Sequence, residues 1–218
     1  MHILVMGAGR FGQKAIRHFQ AHVPNACLTV VDRDSDRLSS FGGTSIHRVC
    51  SDAVAYLNNV LPDLDASDDW IIPAVPIHLA FEWMLQQVGQ EHRIVPIAFP
   101  EDILKELPNR FRGPFGTVYT SIADFRCPDG CAAPESHCTY TGLPRPLTMD
   151  RYLQTIGGTS YHAIVVQSVQ IGPGVGGYHP QALSVARDGI LEAAPRPVLL
   201  ATACRCHAVV TAFRMVRP

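Results

Sequence analysis

Apolar positions along this chain fall into short unbroken runs that alternate with helical stripes. Residues 2–6 form one near-continuous apolar run, as expected of a strand buried on both faces of a parallel sheet. Phe11, Ala15, Ile16 and Phe19 then recur at helical spacing, while Arg10, Lys14, Arg17 and His18 are mostly directed elsewhere. Cys27–Val31 reads as a second strand that ends at Asp32, and Ser45–Val49 as a third. Asp52 caps a helix whose Ala53, Val54, Leu57, Val60 and Leu61 share a face. Trp70–Ile72 is a fourth strand, after which Pro76 opens an amphipathic helix through Ile77, Ala80, Phe81, Met84, Leu85 and Val88. Ile94–Phe99 is a fifth strand, with Pro96 marking an edge or an irregularity. Strands alternating with helices in this way predict a mostly parallel α/β sheet.

The first strand runs directly into Gly7-Ala8-Gly9-Arg10-Phe11-Gly12, and Asp32 closes the second strand twenty residues after Gly12. This is the spacing of a Rossmann-type dinucleotide-binding unit. Each glycine has a task there: Gly7 for the tight turn, Gly9 for close approach of backbone to a pyrophosphate, Gly12 for helix packed on strand. The helix N-terminus offers unpaired N–H groups and the positive end of its dipole to phosphate. Asp32 can accept hydrogen bonds from a ribose diol, and its charge opposes a 2′-phosphate, so the expected cofactor is NAD. Arg33 and Arg37 lie close enough to admit NADP. A methyltransferase binding S-adenosylmethionine also uses a glycine-rich first loop, but usually with an acid just before it, where this chain has Val5-Met6.

Gly7, Gly9, Arg10 and Gly12, followed by Asp32 and Asp34, have the form GxGRxG…DxD. On these residues the stretch from Met1 to about Ala98 resembles the NAD-binding domains of Trk/RCK-type potassium-transport regulators, a pattern shared by many NAD-dependent dehydrogenases. The resemblance implies nucleotide binding rather than potassium regulation. A cysteine-rich segment stands where the regulatory module of that family would follow.

That segment reads Cys127-Pro-Asp-Gly-Cys131, then Ala-Ala-Pro-Glu-Ser-His137-Cys138. Its prolines and glycines forbid a long helix or strand, so something else must hold the backbone, and three inward thiols on a metal would do so. Near the other end, Cys204-Arg205-Cys206-His207 follows the apolar strand Val198–Ala203. Residues two apart on an extended chain face the same way, so Cys204 and Cys206 are expected to present sulfur together. Five clustered thiols exceed the four ligands of a tetrahedral zinc. The preferred expectation is a [4Fe–4S] cluster on Cys127, Cys131, Cys138 and one of Cys204 or Cys206, with zinc the alternative and unmetallated redox thiols a third. Cys27 and Cys50 read as small buried hydrophobes within strand regions.

A second strand, Tyr161–Ile171, leads into Gly172-Pro173-Gly174-Val175-Gly176-Gly177 and then a helix from about Pro180 through Leu183, Val185 and Ala186. Gly172, Gly174 and Gly176 can expose backbone N–H groups to an anionic ligand, or can simply allow a sharp reversal. If the sheet continues through this C-terminal part, both glycine loops, Asp32 and Cys204 gather at one rim. Three histidines are catalytic candidates by placement: His78, His179 and His207. For His78 the competing reading is a solvent-facing or capping residue, and for His179 one that caps or packs over the next helix.

Bulk properties add limits. A formal charge of -1 and 17% charged residues over 218 positions give no reason to expect nucleic acid, and the acidic stretch Asp63–Asp69 and basic tip Arg214–Arg217 are too short to change that. The apolar runs fall short of a membrane span and the start lacks a basic leader, so the expectation is a cytoplasmic protein without a membrane partner. In a reducing compartment clustered cysteines point to metal or redox roles. The expected organisation is a Rossmann-type unit over 1–99, a cysteine-rich insertion over 100–147, and a C-terminal α/β extension over 148–218 completing the sheet. The expected function is an NAD(P)-dependent oxidoreductase with a cysteine-ligated metal centre, acting on a small-molecule substrate or redox partner, with a homodimer the default assembly. The rivals are a non-catalytic redox- or metal-sensing module that binds NAD, and an enzyme whose metal is a structural zinc.

Overall fold

The computed structural model describes residues 1–42, 45–88 and 92–216, so Arg217 of the basic tip lies outside it. The first part of the chain builds a four-stranded sheet from β1 (His2–Met6), β2 (Cys27–Asp32), β3 (Ile46–Cys50) and β4 (Trp70–Pro73). All pairings are parallel and the spatial order is β3-β2-β1-β4. Helices α1 (Arg10–His22), α2 (Ser35–Ser39), α3 (Ala53–Val60) and α4 (Leu79–Gln87) follow the four strands in turn. The unbroken apolar run in β1 has its reason here. Ile3 and Val5 pack with Ala15, Ile16 and Phe19 of α1, while Leu4 and Met6 pack with Leu57 of α3 and Met84 of α4 on the opposite face.

A second, six-stranded sheet is built around β12 (His207–Val216). One edge of β12 pairs antiparallel with β11 (Val198–Ala203). Its other edge pairs first with β7 (Thr117–Ser121) and then with β5 (Arg93–Pro96), both antiparallel. β6 (Phe111–Arg112) lies outside β7, and β8 (His162–Gln167) lies parallel to β11. Two more strands, β9 (Val169–Gly172) and β10 (Val175–Gly177), form a separate hairpin. Helix α7 (Pro180–Ala193) then leads into β11, while α5 (Glu101–Glu106) and α6 (Met149–Thr155) cover the far side of this sheet. The near side contributes Val198, Leu200, Phe213 and Met215 to the same core as Leu4, Met6 and Ile71, with α4 and α7 between the sheets.

Several expectations are corrected. The fifth strand leaves the parallel sheet, because the open edge of β4 is already taken: Ile71 and Tyr178 exchange backbone hydrogen bonds at 2.9 and 3.0 Å, and Gly177 presses on the Ile71–Ile72 backbone and side chains. For the same reason the C-terminal segment does not complete the first sheet; it pairs with that sheet at one bridge, forms the β9–β10 hairpin beside it, and gives β8, β11 and β12 to the second sheet. Within residues 100–147, α5, β6 and β7 occupy the first part and the cysteines follow in the irregular chain after β7. Tyr161–Ile171 is two strands broken at Ser168, and α4 starts at Leu79, three residues after Pro76. Phe11 is 54% exposed and Val185 is exposed, so neither belongs to its helix's buried stripe. Cys27 and Cys50 are exposed as well, each at an end of its strand. Among the described residues no helix is long and apolar enough to cross a membrane.

Helix α1 sits so close to β1 that a Cβ on Gly12 would overlap the carbonyl oxygen of Gly7. Replacing Gly12 by Ala gains about 1 kcal/mol of helix propensity but forces backbone apart at a cost of about 3 kcal/mol or more. Chemical denaturation of Gly12→Ala is therefore expected to show a net loss of about 2 kcal/mol or more, and unchanged stability would contradict this packing.

Candidate functional site

The glycine turn joins the end of β1 to the start of α1. Gly7 adopts φ +116°, a region that favours glycine, and a side chain there would also approach the Ala74 carbonyl oxygen at 2.6 Å. Nothing lies within 4 Å of where a Gly9 side chain would stand, so that stretch of backbone is open to approach. Gly9 is the N-cap of α1 without a side-chain cap, and the first turn carries no acidic residue. Among the described residues, the N–H groups of that turn thus have no side-chain cap. Asp32 ends β2 beneath the turn, with one carboxylate oxygen accepting from Ala8 N–H at 2.7 Å and the other from Asp34 N–H at 2.9 Å. Arg33 is turned to Asp52 at 2.7 Å and Arg37 to Asp34 at 3.2 Å.

Beside this turn lies a cavity of about 1600 Å³. Arg10 and Phe11 of α1 reach it from one side, and Cys127, Cys131, Cys138, Cys204, Cys206 and His207 all line it. The five thiols singled out in the sequence therefore line one cavity, from two segments of chain. Cys204-Arg205-Cys206-His207 is the turn between β11 and β12, closed by Cys204 N–H donating to the His207 carbonyl at 2.9 Å. It is a turn and not the extended stretch expected, and its two sulfurs differ: Cys206 is buried and Cys204 half-buried. Among the described residues, no group of three or more His, Cys, Asp or Glu side chains is placed to hold a single metal ion.

The loop bearing Cys127 to Cys138 is held by direct hydrogen bonds. Arg10 pairs with Asp129 at 2.5 Å and Lys14 donates to the Asp129 carbonyl, which ties the loop to the first two turns of α1. The Cys131 carbonyl accepts from Gly174 N–H at 2.9 Å and from the Gln170 amide at 3.0 Å. Arg205 donates to the Ala133 carbonyl at 2.8 Å, linking the loop to the turn at Cys204. Around Cys138 the chain folds back on itself, with Cys138 N–H bonded to the Leu143 carbonyl at 2.9 Å.

Local surroundings separate the thiols electrostatically. Burial pushes Cys206 up to about 11, and burial together with the nearby sulfurs of Cys131, Cys138 and Cys204 raises Cys127. Hydrogen bonds from the Thr141 backbone N–H and hydroxyl hold Cys138 below the ordinary thiol range. Burial acts upward on Cys204 too, but the His207 ring at 3.8 Å and backbone N–H groups of Cys206 and His207 outweigh it, so its thiol is lowered. The same contact raises His207.

The second glycine loop joins two strands and does not lead from a strand into a helix. Gly172-Pro173-Gly174 is the reversal between β9 and β10, with Gly174 at φ +69° and Gly172 packed against the His18 ring. Gly174 and Gly176 nevertheless line the thiol cavity, whereas Gly172 does not. Of the three histidines only His207 reaches that cavity. His179 stands at the N-cap of α7, donates from Nδ1 to the Asp69 carbonyl at 2.8 Å, and packs on Trp70 at 3.7 Å between ring centroids. His78 is neither solvent-facing nor a side-chain cap. It is 4% exposed, with Nδ1 on Thr211 Oγ1 at 2.8 Å and Nε2 on Thr202 Oγ1 at 3.1 Å, and Thr211 continues to Thr117 at 2.9 Å. The sequence carried no local sign of this, because all three threonines come from the second sheet.

Fold and cavity together define an α/β protein with a parallel sheet, an open glycine turn and a thiol-lined chamber. Residues 80–216 match the model of the family described as "Uncharacterized protein, C-terminal domain", and the chain belongs to that family. The match starts within α4 and covers the second sheet, the cysteine loop and the turn at Cys204. The chain is also 25% identical over 229 aligned positions to an uncharacterized protein of Archaeoglobus fulgidus, covering 97% of this chain and 98% of the other. No solved structure matches it.

Burial pushes His78 down to about 3, well below the ordinary histidine value of 6.5. Between those values the unfolded chain binds a proton that the folded protein does not, so stability falls as pH drops from about 6.5 toward 3, by up to about 1.4 kcal/mol per unit. His78→Gln removes this group, and urea titrations at a series of acidic pH values should show a correspondingly shallower decline. An identical decline in both proteins would mean His78 is not held neutral.

Proposed function

We propose that the protein is an NAD-dependent oxidoreductase whose thiol cavity carries an iron–sulfur cluster beside a Rossmann-type nucleotide site. One observation carries this reading: a single cavity is lined by Arg10 and Phe11 of the glycine turn and by all five clustered cysteines. The strand order β3-β2-β1-β4 corresponds to one nucleotide-binding half of such a sheet, 3-2-1, with the next strand beside β1 where the order reverses. The turn supports it further, with Gly9 open, the α1 N-terminus uncapped and Asp32 fixed below. Each Asp32 oxygen has a lone pair left after its backbone bond, which suits a ribose diol. With Arg33 and Arg37 turned to other carboxylates, NAD is favoured over NADP.

The donor set fits a cluster better than a lone ion. Five thiols lining one cavity exceed the four ligands of a tetrahedral zinc, which favours a cluster. A cluster of several irons takes thiolates set wider apart, and Cys127, Cys131, Cys138 with Cys204 or Cys206 would hold it. Bound there, the group would supply one-electron exchange. The chain's own part is to fix the loop through Arg10, Lys14, Gln170 and Arg205, and to keep Asp32 aimed at the ribose. A cavity of about 1600 Å³ exceeds an ordinary ligand pocket and leaves room for a small substrate or an approaching redox partner.

Protein purified without oxygen should contain iron and acid-labile sulfide and absorb visible light, and Cys131→Ser should lose most of the iron. NADH should bind, with Asp32→Asn weakening it about tenfold, and should be oxidised when an electron acceptor is present. Colourless protein with stoichiometric zinc, or a Cys131→Ser variant with unchanged iron, would overturn the cluster. NADH binding without turnover would leave a sensor instead of an enzyme.

A further inference from the structure

Between Cys127 and Cys131 stand Pro128, Asp129 and Gly130, and Asp129 makes the hydrogen bonds that join this stretch to the nucleotide half. Its carboxylate pairs with the Arg10 guanidinium at 2.5 Å, and its backbone carbonyl accepts from Lys14 Nζ. Arg10 and Lys14 lie one turn apart on α1, so two cations of one helix face are committed to a single loop residue. The β9–β10 reversal closes over the contact. Gly174 N–H donates to the Cys131 carbonyl, and a Cβ on Gly174 would overlap the Asp129 carbonyl and Lys14 Nζ. Helix, hairpin and loop therefore meet at the residue between two of the proposed ligands.

Arg10 is also the first residue of α1, directly after the uncapped Gly9. A pyrophosphate held by the N–H groups of this turn brings its negative charges beside the same guanidinium. Asp129 is thus an anion standing close to where a second anion is to bind, and the two contest one cation. The Arg10 and Asp129 side chains are 57% and 52% exposed, so their pair is weak and screened by solvent, and a phosphate charge can displace it.

We infer that Asp129 is a positioning residue that latches the Cys127–Cys131 stretch to α1, and that a bound pyrophosphate releases the latch by drawing Arg10 away from it. This rests on the proposed nucleotide site and adds its regulation. In the free protein Asp129 holds the thiol loop and opposes anion binding. With nucleotide bound, the loop keeps only its bonds to Lys14, Gly174, Gln170 and Arg205 and opens more often. Coupling of this kind is reciprocal, so anything that fixes the loop in its latched position weakens nucleotide binding by the same factor.

Two readouts on the intact protein test the latch: affinity for an anionic probe, and tryptic cleavage after the exposed Arg126 at the start of the loop, followed by mass spectrometry. The probes are NADH and inorganic pyrophosphate, which carries the charge without the nucleosides. In the wild type each should speed the cleavage about threefold. Asp129→Asn keeps the side chain's shape and removes its charge. It should bind both probes about threefold tighter than the wild type, and its cleavage should be fast with or without them. A merely structural role predicts the opposite sign, because loosening the site weakens binding. Pyrophosphate binding no tighter in Asp129→Asn, wild-type cleavage that pyrophosphate slows or leaves unchanged, or a response to it that survives the substitution would each overturn the latch. Pyrophosphate acting as expected on a protein that does not bind NADH would refute the dinucleotide reading alone.

Discussion

Everything about the arrangement of this molecule depends on how the edge of β4 is closed. Two hydrogen bonds between Ile71 and Tyr178 do it, backed by Gln181 N–H on the Ala66 carbonyl at 3.1 Å and by His179 on Asp69. An open strand edge is a row of unpaired N–H and C=O groups, and here a returning segment satisfies it at a single point. Because the bridge falls at Tyr178, the hairpin before it is laid against α1 and the helix after it enters the space between the sheets. The β9–β10 reversal then meets Lys14, His18 and the Asp129 backbone. One edge contact thereby sets the distance between the glycine turn and the thiols.

The two sides of the second sheet divide the work. Its far face, with Leu199, Ala201, Val210 and Ala212, is a plain apolar core under α5 and α6. Its near face begins apolar at Phe213 and Leu200, becomes polar at Thr211 and Thr202, and ends in Cys204 and His207 at the hairpin tip. A strand pair with period two can carry such a gradient, since one face stays a core while the other grades from packing to chemistry. His78 is drawn into this gradient from α4, where a neutral imidazole joins two strand hydroxyls. Satisfied networks of this kind fix neighbouring elements in one arrangement, here α4 against the second sheet.

Much of the site could be read from residues alone, for reasons that are local. Gly7, Gly9 and Gly12 act through backbone conformation and close packing within one turn, and Asp32 through the end of the adjacent strand, so short-range spacing suffices. That Cys127, Cys131, Cys138, Cys204 and Cys206 would line one cavity was also readable, since prolines and glycines leave a loop free to fold over a strand end. The hydrogen bonds from Arg10, Lys14 and Arg205 that hold that loop were not, because each joins residues more than seventy positions apart. Nor was a second, smaller cavity of about 370 Å³, whose walls come from five separate stretches of chain.

For the fold, the alternation of apolar runs and helical stripes determined the first four strands and three of the helices that follow them, and it located β11 to the residue. Those are consequences of side-chain period and turn chemistry, which act over a few residues. Which sheet a strand joins was decided only in three dimensions. β5 and β8 look no different from β4 in their patterns of Ile and Val, and each would satisfy its backbone equally well beside any apolar neighbour. Competition for edges settled it: Tyr178 took the edge of β4, and β12, ten residues long, offered the later strands two edges of its own.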